Sequence, residues 1–218
     1  MSRQISAMRF KHSGAMLALA AVAVSPPQDR LPQGWTVTDQ QYAYKVSLDT
    51  VAHGGASSGH IVATGTDANV SMFVSQAIKA DDFRGKRVRF SAWIRARNAG
   101  TAATRGGVIF LRAEGGGVAL NSYSTGNRPV GGSSDWTRRQ IVLDIPPATI
   151  GLTFGFGMGG PGEIWIDDAV LEAAEADAPV SRPLGKAPVA ERGKAALQSK
   201  LYAAAPKDPV NMDFEKAK

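Results

Sequence analysis

Over residues 86–97 hydrophobic and polar positions alternate: Val88, Phe90, Ala92, Ile94 and Ala96 fall on one side of an extended chain, and Arg87, Arg89, Ser91, Trp93, Arg95 and Arg97 on the other. That is the period of a half-buried β-strand, whose successive side chains point to opposite faces. A run opened by Trp136 sets Ile141, Leu143 and Ile145 against Gln140, Val142 and Asp144, until Pro146 and Pro147 remove the ladder donors. Ile150, Leu152, Phe154, Phe156 and Met158 then alternate with Gly151, Thr153, Gly155 and Gly157, one face greasy and the other nearly bare. Over 164–171, Ile164, Ile166 and Val170 share one side and Trp165 and Leu171 the other, so both faces need cover. Upstream, Tyr42, Tyr44, Val46 and Leu48 mark a strand, with others over 60–64, 70–78 and 108–113 and around Leu120. Trp35 is the expected core anchor. About seven or eight strands joined by Gly- and Ser-rich loops predict an all-β fold, a two-sheet antiparallel sandwich with no helix inside it.

The closing strands read W-T-R-x-x-I-V-L-D-I-P-P from Trp136 and I-W-I-D-D-A-V-L-E from Ile164. With Gly34-Trp35, the stretch from Tyr42 to Asp49, the turn over 52–57 and the run over 80–89, they resemble jelly-roll, galactose-binding-like sandwiches. That is the architecture of many carbohydrate-binding modules and of a group of bacterial domains, some labelled as parts of transcriptional regulators. The resemblance covers 34–172 and implies a non-catalytic module. In calcium-bearing modules of this kind, an aspartate of the D-D pair and a glutamate of an opening F-E strand hold a structural Ca²⁺. The resemblance therefore points to Asp168 and Glu215. The plainer reading is a surface carboxylate pair, since calcium takes six to eight oxygens and the tail must fold back to help supply them.

Charge and composition exclude more than they assign. The 218 residues suit one domain with tails, with enough chain for a core that needs no cross-links. The absence of cysteine removes disulfides, thiolate metal sites and a cysteine nucleophile. The net charge of +6 is spread along the chain, without a Lys/Arg block or a helix-turn-helix pattern, so no nucleic-acid partner is expected. Arg3, Arg9 and Lys11 precede an apolar run over 15–24 with Ala21 and Ala23 at cleavage-site spacing. Residues 1–23 are expected to be a secretory signal, too short for the roughly 20 apolar residues of a span. The mature chain is then periplasmic or secreted, with no stable membrane span after cleavage.

The remaining boundaries follow composition: an entry segment over 24–33, the sandwich over 34–172, an Ala/Pro linker over 173–189, a helix over 190–205 with Leu197 and Leu201 at i and i+4, and a tail over 206–218. Within the tail, 211–215 reads N-x-D-F-E and is a possible strand. The related domains carry that run before the Gly-Trp pair, and its displacement leaves a sheet edge to be covered, by this tail in its own molecule or in a neighbour.

Two motifs have the letters of a site without its context. Gly55, Ser57 and Gly59 spell G-x-S-x-G, with His60 adjacent, but a strand follows where the nucleophile elbow needs a helix. Gly155, Gly157 and Gly160 spell G-x-G-x-x-G inside a strand, where no helix N-terminus can take a pyrophosphate. No enzyme is expected. The outer face with Trp93 is the candidate site: the indole as a platform for a sugar ring, Arg89 and Arg95 gripping hydroxyls or carboxylates, and Arg112, Asn121, Tyr123, Arg128 and Trp165 contributing from neighbouring strands and loops. The expected ligand is a carbohydrate or another small polar molecule. The alternative is a protein partner, or the chain's own tail, covering that face.

Overall fold

The computed structural model describes residues 31–37, 43–65, 71–100, 106–182 and 195–218. The expected signal segment, Tyr42, Val70 and the start of the expected helix lie outside the described residues.

The described residues form, in chain order, β1 (Thr36–Val37), β2 (Tyr44–Asp49), β3 (Ser58–Ala63), β4 (Ser71–Lys79), β5 (Arg87–Ala99), β6 (Gly107–Gly115), β7 (Val118–Ser124), β8 (Gly132–Asp144), β9 (Gly151–Gly159), β10 (Glu163–Ala173) and α1 (Ala195–Ala204). Two five-stranded sheets result, β1-β4-β9-β6-β7 and β2-β3-β10-β5-β8, every pairing antiparallel. The described residues form a nearly all-β two-sheet sandwich with one C-terminal α-helix.

The inward sides of the alternating strands make the core. Val88, Phe90 and Ile94 of β5 meet Phe154 and Phe156 of β9, Ile109 and Leu111 of β6 and Ile164 and Ile166 of β10, all essentially buried. The Phe90 and Phe154 rings lie 5.2 Å apart. Each such side chain stabilises the fold by about 1.5–3 kcal/mol relative to exposure.

The strict alternation expected for β10 breaks at its acidic pair. A register shift between Asp167 and Val170, with Asp168 at φ 45°, turns Ala169 and Leu171 toward the core and leaves Val170 exposed. The bulge inserts a residue into the ladder and so reverses every side chain after it.

The bare face of β9 is where the helix docks, though not through its leucines. Leu197 and Leu201 are exposed, and Tyr202 is the buried residue of α1. Its ring occupies the space that a Cβ on Gly151 would need, and its hydroxyl lies 2.6 Å from Thr153 Oγ1 and 2.8 Å from Glu114 Oε2. Burial, with Glu114 opposite, pushes the Tyr202 hydroxyl above the ordinary phenol range. The phenol docks better than the leucines because it satisfies two polar groups that leucine would strand.

The C-terminal segment folds back into its own molecule. Phe214 is fully buried and stacked on Trp35 at 4.9 Å, with Phe156 edge-on at 5.7 Å. Trp35 Nε1 donates to the Asn211 carbonyl at 3.0 Å, Ala169 N to Met212 O at 3.0 Å, and Lys218 N to Leu31 O at 2.8 Å. Residues 211–215 are held as turns, not as a ladder strand, with Asn211 at φ 48° and Phe214 at φ 56°. A left-handed phenylalanine is strained by about 1–3 kcal/mol, a cost offset by burial of its ring.

Candidate ligand-binding face

The outer face of the second sheet carries the expected arginine row, and the structure divides it. Arg87 donates through Nε to Asp144 Oδ1 at 2.7 Å and through Nη2 to Oδ2 at 3.1 Å, while Nη1 reaches the carbonyls of Ala176 and Ala178. Its Asp144 partner is thereby held below the usual carboxylate range. Arg89 pairs with Glu172 at 3.0 Å. Residues 174–182, read from sequence as linker, run along this end, with Ala174 N bonded to Arg87 O and Ser181 N to Val142 O. The Arg87–Arg89 end is therefore structural, and Arg89 is not part of the open face.

At the other end Arg97 Nε donates to Glu163 Oε1 at 2.6 Å, and Glu163 Oε2 is 2.9 Å from His60 Nε2. Trp165, expected as a platform, is only 3% exposed. His60 stacks on one side of it at 4.8 Å, and the guanidiniums of Arg97 and Arg95 lie 5.2 and 6.0 Å from its ring centroid. Strand pairing sets His60, Trp165 and Arg95 side by side in one row. With Trp165 this deeply buried, no open indole face is left for a ligand to stack on.

Between these ends lies an aromatic group. Trp93, half-buried, sits opposite Asp167 on β10 and Arg138 on β8. His53, from the loop between β2 and β3, stacks on it at 4.1 Å with 16° between planes, and Trp136 meets His53 edge-on at 5.6 Å. The loop is fixed by three carboxylates. Buried Asp167 accepts from His53 N at 2.8 Å and Gly54 N at 3.1 Å, Asp168 Oδ2 lies 2.7 Å from His53 Nδ1, and Glu215 Oε1 accepts from Ala56 N at 2.7 Å and Ser57 N at 3.1 Å. Burial outweighs the backbone donors and raises the Asp167 carboxyl above the usual carboxylate range.

Asp168 and Glu215, the expected calcium pair, thus meet the same loop at adjacent glycines, Gly54 and Gly55. They fit a calcium site only in part. One oxygen of each is engaged by an N–H donor, whose positive end opposes a cation. Among the described residues no group of three or more acidic or histidine side chains is placed to hold a metal.

Register shifts in the β5–β8 ladder on either side of the Ala96–Ser134 pair leave Ser133, Asp135 and Trp136 without a ladder partner on β5. A cleft of about 470 Å³ opens there, lined by Val51, Arg95, Arg97, Ser134, Asp135 and Trp165 among others. That volume suits a small-molecule ligand, and bulges commonly mark such places. Arg95 is the arginine of the row with the loosest partner: Asp135 is 4.0 Å away and its side chain is 88% exposed.

The remaining expected ligand residues do not join this face. Arg112, Asn121 and Tyr123 are on β6 and β7 of the first sheet, and Arg128 ends the 3-10 turn Thr125–Asn127 that follows. Arg112 pairs with Glu114 at 3.0 Å, Asn121 Nδ2 donates to Asp144 O at 2.9 Å, and Tyr123 lies opposite core Leu111. Sequence reasoning missed His53, Trp136 and Asp135. Their sole local signals were a Gly/Ser-rich loop and the start of a strand; what unites them is a long-range loop contact and a bulge. The motif serine Ser57 donates to the Phe214 carbonyl at 2.7 Å, a structural bond.

No protein-family model matches the chain. A Bacillus subtilis (strain 168) protein named as an uncharacterized HTH-type transcriptional regulator, YbfP, is 27% identical over 151 residues, covering 67% of this chain and 50% of that one. The chain therefore spans about half the length of that relative. Among solved structures, it is similar to the enzymatically active domain of bacteriophage CBA120 tailspike protein 4, with a TM-score of 0.51 and 17% identity over 66% of this chain and 20% of that one. TmCBM61 in complex with β-1,4-galactotriose gives a TM-score of 0.46 and 20% identity over 66% and 92% of the two chains. The C-terminal family 22 carbohydrate-binding module of Clostridium thermocellum Xyn10B gives 0.45 and 17% over 68% and 89%. These likenesses are of fold.

Proposed function

We propose that the chain is an exported, non-catalytic module that binds a carbohydrate or another small polar ligand on the outer face of its second sheet. The observation that carries the reading is the aromatic group His53, Trp93 and Trp136 set beside the Arg95 cleft on a rigid sheet. Aromatic rings supply apolar contact to the flat side of a sugar, while neighbouring guanidinium and hydroxyl groups fix its orientation. TmCBM61 carries a galactotriose, and a carbohydrate is the class proposed for this chain too; what supports it is the side chains of the face.

Non-catalytic action agrees with how the polar groups are spent. Ser57 and Ser58 donate to the carbonyls of Phe214 and Val51, and His60 is held by Glu163, so neither of these serines has an imidazole as its base. Export rests on the basic and apolar pattern over 1–23. Among the described residues no helix is long and apolar enough to cross a membrane.

Affinity-gel electrophoresis against a panel of soluble polysaccharides tests the reading. Retardation by at least one polysaccharide, lost in Trp136→Ala while the circular dichroism spectrum is unchanged, is the expected result. Free migration through every gel would favour a face that meets a protein partner.

A further inference from the structure

We propose that the ligand of this face carries a carboxylate, as an acidic sugar of the uronic acid type does, and that Arg95 is the residue that takes it. The inference rests on the carbohydrate-binding reading and adds the ligand's charge to it.

Four arginines line the outer side of β5, and three have close carboxylate partners within the chain: Arg87 with Asp144 at 2.7 Å, Arg89 with Glu172 at 3.0 Å and Arg97 with Glu163 at 2.6 Å. Among the described residues Arg95 has only the 4.0 Å approach of Asp135, a side chain 88% exposed and easily turned aside. Asp135 is also the sole acid among the residues lining the cleft, against two arginines. Glu163 stands nearby but is shared between Arg97 and His60. The cleft lining thus carries two guanidinium groups against one exposed carboxylate.

Arg95 and Trp93 are two residues apart on the same face of a strand, about 6.8 Å along the backbone. A pyranose lying against the aromatic group, whose Trp93 ring is covered by His53, is therefore on the same side of the sheet as the Arg95 side chain. The planar fork of arginine accepts two carboxylate oxygens together, a match that neutral hydroxyls do not provide. Since β5 is central to the sheet and Trp165 backs the guanidinium, the fork is presented from a rigid base.

The test is isothermal titration of the full chain with oligomers of galacturonic, glucuronic, mannuronic and guluronic acid, each beside its methyl ester, which keeps the ring and removes the charge. A panel of neutral oligosaccharides, including β-1,4-galactotriose, is run in parallel. At least one acid should bind about tenfold or more tightly than its ester, as expected for a charge-assisted bond. Arg95→Gln should abolish that preference, bringing the affinity for the acid down to that of the ester in the same variant, and Arg95→Lys should restore it in part. Equal affinity for acid and ester, or a preference that survives Arg95→Gln, overturns the assignment and leaves the carbohydrate reading standing. Binding of neutral oligosaccharides alone does the same. If no acid, ester or neutral oligosaccharide binds, both readings fall together.

Discussion

The imidazole of His53 lies flat on the indole of Trp93, 4.1 Å between centroids, while its Nδ1 lies 2.7 Å from Asp168 Oδ2. The loop between β2 and β3 is thereby clamped onto the outer face of the second sheet. Glu215, at the other end of the chain, holds the same loop by two backbone N–H groups. The folded-back tail and the candidate ligand face are one mechanical unit.

That unit makes the tail essential to stability. Phe214→Ala removes a fully buried ring from between Trp35 and Phe156 and is expected to cost about 3–5 kcal/mol in urea melts. Truncation after Ala205 should lower the melting temperature at least as far. An unchanged melting temperature in both variants would mean that the segment does not pack there in solution.

How much of this was legible in sequence differs by residue. The core side of β5 was, because nothing interrupts its period from Val88 to Ala96. The inward turn of Leu171 was not, because the bulge after Asp167 is a backbone event that leaves no periodic trace. Trp165 read correctly as outward but wrongly as open, since what covers it, His60 and two arginines, is set by strand order and register. The i, i+4 leucines marked the helix but not its docking residue, because the docking surface, bare at Gly151, is filled by the ring of Tyr202.

Tyr202 gives a pH dependence. Its hydroxyl is raised above the ordinary phenol value of about 10. The unfolded chain therefore loses this proton first as pH rises, and the folded state binds more protons. The stability linked to this proton is complete below the ordinary phenol pKa and is lost as pH climbs through and above it. Urea melts in the alkaline range should show that fall in the wild type and a shallower one in Tyr202→Phe. At neutral pH the variant should be weaker by about 1 kcal/mol for its lost hydrogen bonds. Parallel pH profiles would remove Tyr202 from the linkage.

Calcium is tested by thermal melts with calcium and with chelator. Because Asp168 and Glu215 already accept from His53 and from the loop's N–H groups, the expected melting temperature is the same in both. A rise with calcium that disappears in Asp168→Asn would assign an ion to the pair.

Export is tested by mass spectrometry of the protein isolated from its native host. A signal over 1–23 predicts a mature N-terminus near Val24. Intact Met1 on protein recovered from cytosol would contradict it.

The location of the ligand face is tested most directly by the indole N–H resonances of the chain's four tryptophans. Oligosaccharide is titrated into ¹⁵N-labelled protein and the four Nε1–H signals are followed. Trp93 and Trp136, beside the cleft, should shift with the ligand, and Trp35, sealed between Phe214 and the core, should not. Saturable binding that moves Trp35 while Trp93 and Trp136 stay fixed would place the ligand elsewhere on the sandwich and contradict the account.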